Sequence, residues 1–123
     1  MQVIRLSIDG LKKIIAGEVK EDVTCVVKFY SQDCHLCHNL KDYYQELAAL
    51  EKYKNIHFFA FNVDDYTPIE KQLSFSGVPT IGVVKAYTAR RKPKIRIMPD
   101  PDTPQEHTWY KIGAIKEFIE EHR

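Results

Sequence analysis

Several things are scarce in this sequence, and each scarcity narrows the reading. No apolar run approaches the roughly 20 residues a membrane-spanning helix needs, so no membrane partner is expected. Charge of one sign is not in excess: 18 basic and 17 acidic residues leave a formal net charge of +1. That balance argues against nucleic acid or an acidic membrane surface as the main partner. The opening residues, Met1-Gln2-Val3-Ile4-Arg5, lack a basic region followed by a long apolar one. No secretory signal is therefore expected, and the sequence predicts a cytoplasmic protein. Cysteine is sparse, three in 123 residues, too few for a disulfide-stapled scaffold. No repeat, low-complexity tract or linker interrupts the chain, so one domain over residues 1–123 with a single packed core is expected, as a monomer.

What is there centres on Cys34-His35-Leu36-Cys37. An apolar run from Val23 to Tyr30 precedes it and reads as a buried strand. Leu36, Leu40, Tyr43, Tyr44, Leu47 and Leu50 follow at helical spacing, in a helix expected to fade near Lys54-Asn55. The cysteines thus sit where a strand hands over to a helix. A helix N-terminus offers unpaired N–H groups and the positive end of the dipole. Both favour thiolate, the reactive species, over thiol. Two thiols held there can cycle between dithiol and disulfide.

Around this centre the rest falls into order. Val3 to Ile8 reads as a first strand, and Asp9 is placed to cap a short helix carrying Leu11, Ile14 and Ile15, which Gly17 weakens or ends. Ile56 to Val63 reads as another buried strand, making strand–helix–strand a parallel βαβ unit. Thr67-Pro68-Ile69-Glu70 predicts a capped helix start, with Gly77 at the exit. A strand from Val78 through Tyr87, a basic turn at Arg90-Arg91-Lys92 and an alternating strand from Lys94 to Met98 follow. The turn reads as a solvated hairpin end or a docking patch for acidic partners. After the Pro99-Asp102 loop, the pattern Thr103-Pro104-Gln105-Glu106 predicts the start of the last helix, with Trp109, Ile112, Ile115 and Ile119 inward; Trp109 is the alternative start. The order β-α-β-α-β-α-β-β-α predicts an α/β fold, a mixed central sheet with helices on both faces.

With these residues in hand the chain resembles a thioredoxin-fold protein. Val-Val-Lys-Phe-Tyr before C-H-L-C, the helix with Leu40, Tyr43 and Leu47, Gly77-Val78-Pro79-Thr80, and the final Ile115-Lys116-Glu117-Phe118-Ile119 carry the resemblance over nearly the whole chain. It implies a thiol–disulfide oxidoreductase. Cys34 would be the attacking thiol, Cys37 the resolving thiol, and Pro79 a cis proline facing them; X–Pro is the one bond where cis is cheap. The backbone of Val78 would pair with substrate. The implied partners are disulfide-containing proteins and, as electron donor, a thioredoxin-reductase-type enzyme or a small thiol. No cofactor beyond the Cys34–Cys37 disulfide is implied.

The sequence departs from common thioredoxins. His35-Leu36 replaces Gly-Pro between the cysteines, Asp33 replaces the preceding Trp, and Lys28 stands where the family has a buried acid. That acid is read as taking the proton from the second thiol, which a protonated lysine cannot do. If it points inward, its charge favours thiolate instead; otherwise its stem packs and its ammonium reaches water. His35, when protonated, would lower the Cys34 pKa, and Asp33 opposes it. A His between the cysteines is also similar to protein disulfide isomerase domains, whereas no Gly-Gly element of a glutaredoxin follows the proline strand.

Other readings compete. Cys34, His35, Cys37 and His38 are too close to enclose a zinc ion, and no second C-x-x-C exists, so no metal is expected. Cys34 to His38 matches the C-x-x-C-H haem attachment pattern, with Met98 as a second axial ligand, but such attachment needs export. A thioredoxin-fold module that only binds partners is the remaining alternative; two intact cysteines argue against it. Cys25 reads as a buried inert thiol and His57 as structural.

Overall fold

The computed structural model describes residues 2–89 and 91–123, so Arg90 of the basic turn lies outside the described residues, as does Met1. The elements are β1 (Ile4–Arg5), α1 (Ile8–Ala16), β2 (Val23–Tyr30), α2 (His35–Ala48), β3 (Ile56–Asn62), α3 (Ile69–Gln72), β4 (Thr80–Ala86), β5 (Lys94–Ile97) and α4 (Ile112–His122). Short 3-10 turns occupy Glu51–Tyr53 and Val63–Asp65. The sheet order is β1-β3-β2-β4-β5. β3 runs parallel to β1 and β2, β4 antiparallel to β2, and β5 antiparallel to β4.

Strand alternation divides the core in two. Val26, Phe58, Ile81 and Val83 meet Leu40, Tyr44 and Leu47 of α2 and Ile115 and Ile119 of α4. Cys25, Val27, Phe29, Phe61 and Val84 meet Leu11 and Ile14 of α1 and Ile69 of α3. Helices therefore cover both faces, as the element order predicts. β2, buried along its centre and paired on both sides, is the strand that delivers the cysteines.

Several boundaries differ from the sequence expectation, each for a local reason. β1 is only two residues long, because Ser7, not Asp9, caps α1: its Oγ accepts from the Gly10 N–H at 3.0 Å. Asp9 sits in the first turn, where its charge suits the dipole. Gly17, with φ 76°, closes α1 in the left-handed conformation. α2 stops at Ala48; Leu50 is extended, and a 3-10 turn then drops Tyr53 into the core, its hydroxyl donating to Glu120 at 2.8 Å. The helix thus ends before Lys54-Asn55, where the sequence predicts it to fade.

α3 is a single turn whose first residues carry no side-chain cap. Glu70 reaches forward instead, and its Oε2 accepts from the Gly77 N–H at 2.9 Å. β4 ends at Ala86, and Met98 lies beyond β5 although its N–H still bonds to Ile81 O at 2.8 Å. The largest departure is the last helix, which begins at Ile112 rather than Thr103. Gln105 and Trp109 exchange backbone hydrogen bonds at 3.0 Å in both directions, and Trp109 takes φ 66°. That closed turn leaves residues 99–111 as a loop.

Candidate active site

Three segments converge at the end of β2. Cys34 is the N-cap of α2, with extended backbone, and its Sγ lies 3.0 Å from the Cys37 N–H that it accepts. The sulfur thus occupies the position where helical N–H groups are unpaired and negative charge is favoured. Cys34 and Cys37 are joined as a disulfide, with Cα atoms 5.2 Å apart. Their exposure is unequal: Cys34 is half-buried, Cys37 only 2% exposed. One sulfur is reachable from outside and the other sits beneath it.

Facing them is the segment before β4. The Val78–Pro79 bond is cis, and the Val78 carbonyl oxygen lies 3.7 Å from Cys34 Sγ. This segment is held at both ends. Glu70 accepts from the Gly77 N–H, and the Thr80 hydroxyl donates to Gly77 O at 2.8 Å. Gly77 has φ 85°, a conformation open to glycine and strained for other residues.

The long loop before α4 supplies the third wall. Asn39 Nδ2 donates to His107 O at 2.8 Å, tying the loop to α2. A groove of about 230 Å³ results, lined by Leu36, Gly77, Val78, Pro79, Asp100 and Trp109. Helical spacing with Ile112 predicts Trp109 in helix packing; the structure puts it on the groove wall instead. The usable signal was the proline- and aspartate-rich stretch around it, which is poor helix material and leaves the chain's single tryptophan half-buried on a loop.

The other candidate residues separate by depth. Asp33 and His35 flank Cys34 and are exposed, where solvent screens their charges. His38 Nε2 is 2.6 Å from Gln32 O, committed to its own loop. Met98 belongs to the core beneath α2 and α4. His57 lies on β3, stacked on Phe59.

Lys28 points inward: it is only 5% exposed, on the face of β2 that packs against α2. Its Nζ lies 5.3 Å from the Tyr44 ring centroid and 5.7 Å from that of Tyr30. Burial, with the neighbouring charge of Lys41, lowers its pKa from 10.5 to about 8. A cavity of about 340 Å³ is lined by both Lys28 and Cys37. Lysine charge therefore stands behind the buried cysteine, where the family pattern has an acid.

Cys25 is 2% exposed and faces the α1 side of the sheet, opposite Lys28. Burial pushes its thiol up to about 11. Thiolate being the reacting form, Cys25 is expected to stay unmodified by iodoacetamide at pH 8 in the native protein and to react once the chain is unfolded. Mass mapping of the two samples checks this; native labelling at Cys25 would show the strand opens locally.

Comparison with known proteins bears on the family and the fold. A family model described as Thioredoxin matches residues 8–103. Curated proteins give no match to the sequence. Among solved structures, the Trx4 domain of ERdj5 superposes with a TM-score of 0.72 at 14% identity, over 98% of this chain and 95% of that one. Thioredoxin f2, solved in complex with ferredoxin:thioredoxin reductase, gives 0.68 at 23% identity, over 98% and 94%. Mitochondrial thioredoxin 3 of Saccharomyces cerevisiae, in its oxidised form, gives 0.65 at 17% identity, over 98% and 94%. Those likenesses are of fold; the family match spans most of the sequence and includes both cysteines and Pro79. The chain belongs to the thioredoxin family.

Proposed function

We propose that this protein is a thiol–disulfide oxidoreductase that reduces disulfides in protein substrates. The observation that carries this reading is the unequal pair at the start of α2: a half-buried Cys34 sulfur at the helix N-terminus, linked to a buried Cys37. In the dithiol form Cys34 thiolate attacks one sulfur of a substrate disulfide. A Cys34–substrate bond forms, and the substrate's other sulfur leaves as thiolate. Cys37 loses its proton and attacks Cys34 Sγ, so the mixed disulfide breaks and the second substrate sulfur leaves. The substrate gains two electrons and the Cys34–Cys37 disulfide returns. The rate follows thiolate fraction, leaving-group pKa and access.

Around that chemistry, the Val78 backbone and Pro79 would position an extended substrate segment in the groove that Trp109 walls. Lys28 would favour thiolate on the couple, with Asp33 and His35 as weaker, opposing influences at the surface. The cysteine pair itself carries the electrons, so no further cofactor is invoked. A thioredoxin-reductase-type enzyme or a small thiol would restore the dithiol, in a reducing compartment such as the cytoplasm. Two structural neighbours support these partner classes. Thioredoxin f2 was solved with ferredoxin:thioredoxin reductase, and a neighbour at 15% identity comes from work on thiol resolution in a yeast mitochondrial 1-Cys peroxiredoxin through glutathione and thioredoxin systems.

Insulin reduction driven by dithiothreitol tests the proposal. Catalytic acceleration of insulin chain precipitation is expected from the wild-type protein and not from Cys34→Ser. A rate no faster than dithiothreitol alone would reject it.

A further inference from the structure

Behind the cysteines lies a cavity that reaches from Cys37 to Lys28 and on to the surface. Its mouth and walls include Arg5, Lys28, Tyr30, His38, Lys41 and Tyr44, and among the described residues no carboxylate lines it. Two of its basic groups are already occupied. Arg5 is paired with Asp65 at 3.0 Å, and His38 Nε2 is held against Gln32 O. Lys28 and Lys41 remain, and among the described residues neither has an acidic partner. Lys28 is only 5% exposed, has no acidic partner among the described residues and opens onto this cavity, and a charge so far removed from bulk water is costly. The two tyrosine rings near its Nζ offer cation–π contact, which offsets only part of that cost.

The origin of the space is legible in the strand register. Ala60 of β3 lies directly across from Lys28 of β2. A methyl group there leaves open the volume a longer side chain would fill, and Ala60 is itself part of the cavity wall. The cavity thus combines a largely buried cation, a second cation at the rim, apolar and aromatic walls, and, among the described residues, no counter-ion.

We infer that this cavity is a binding site for a small organic monocarboxylate, whose carboxylate pairs with Lys28 and Lys41 and whose apolar part lies against Tyr30 and Tyr44. A monoanion with an apolar group is favoured over a dianion such as phosphate, since desolvation grows steeply with charge while the walls reward burial of carbon. Cys37 lines the same cavity, so an occupant places negative charge next to the couple. It repels a thiolate and not a disulfide. By linkage, the site should therefore bind its ligand more tightly in the oxidised protein than in the dithiol form.

This goes beyond the proposed reductase reading and is tested without turnover. Benzoate is titrated into the oxidised protein and into the dithiol form, followed by backbone amide chemical shifts, with neutral benzamide as control. Saturable shifts around Lys28, Tyr44 and Ala60 are expected with benzoate, weaker in the dithiol form. Lys28→Met should weaken binding roughly tenfold or more, the loss of one charge-assisted contact. Ala60→Leu should abolish it by filling the space while keeping the lysine. Absence of saturable binding, equal binding of benzamide, undiminished binding by Lys28→Met or Ala60→Leu, or equal affinity for the two redox forms would overturn the inference. Insulin reduction by the ligand-free protein is independent of every one of these outcomes.

Discussion

Cys37→Ser is expected to stop the reaction at its midpoint. Cys34 remains at the N-terminus of α2, half-buried and 3.7 Å from Val78 O, so it can still attack a substrate disulfide. The serine hydroxyl cannot displace the substrate from Cys34, because an alkoxide is far less accessible at neutral pH than a thiolate. Mixed disulfide should accumulate, visible as a covalent adduct on non-reducing gels and released by dithiothreitol. Cys34→Ser should form no adduct at all. Both variants should lose turnover by on the order of a thousandfold or more, as removal of either partner in a mutually dependent pair does. Cys37 is buried and serine is close to it in size, so folding should survive, which circular dichroism checks. Adduct formation by Cys34→Ser, and none by Cys37→Ser, would reverse the assignment of attacking and resolving thiols.

Lys28→Met is expected to change stability and redox behaviour together. Burial lowers the lysine pKa from 10.5 to about 8. A lowered pKa in a base means the folded state resists protonation that the unfolded chain accepts. At neutral pH the folded protein therefore carries a destabilising charge, worth about 3 kcal/mol for a shift of this size. The penalty is complete below about pH 8 and disappears as pH rises to the unfolded value near 10.5. Methionine keeps the apolar stem and removes the charge. The variant should be more stable at pH 7 by up to about 3 kcal/mol, and the difference should shrink between pH 8 and 10.5. Urea unfolding of both proteins across that range provides the test. Equal stability at pH 7 would place the ammonium in water.

The same charge acts on the couple. An ammonium in the cavity that Cys37 lines favours thiolate, and a stabilised thiolate makes the reduced form easier to reach. Removing it should lower the reduction potential, making the protein a stronger reductant, by on the order of 30 mV for roughly 1.4 kcal/mol of lost interaction. Equilibration with glutathione buffers measures this. An equal or higher potential in the variant would reject the role given to Lys28.

The readable parts of this protein were those decided by neighbours in the chain. Alternation and apolar runs marked β2, β3 and β4, the helical spacing after Cys34 marked α2, and strand-then-helix placed the cysteines at a helix start. What failed depended on contacts made across the fold. Helical spacing through Leu50 predicts a helix fading near Lys54-Asn55, but Leu50 is extended and Tyr53 enters the core from a separate turn after it. Glu70 satisfied the pattern for a helix cap, yet it holds Gly77, which only the folded chain brings near. Trp109 kept helical spacing with Ile112, while the Gln105–Trp109 pairing bends that stretch into a loop walling the site. Lys28 could be read either way from sequence, because its surroundings depend on Tyr44 from α2 and on Ala60 in the adjacent strand. Local patterns therefore located the reacting pair, and tertiary packing determined what surrounds it.

Brief iodoacetamide treatment of the reduced native protein, followed by mass mapping, tests the division of labour between the two cysteines most directly. Rapid labelling of Cys34 alone is the expected result, with Cys37 shielded beneath it and Cys25 sealed in the core. Faster labelling at Cys37 or Cys25 would contradict the account.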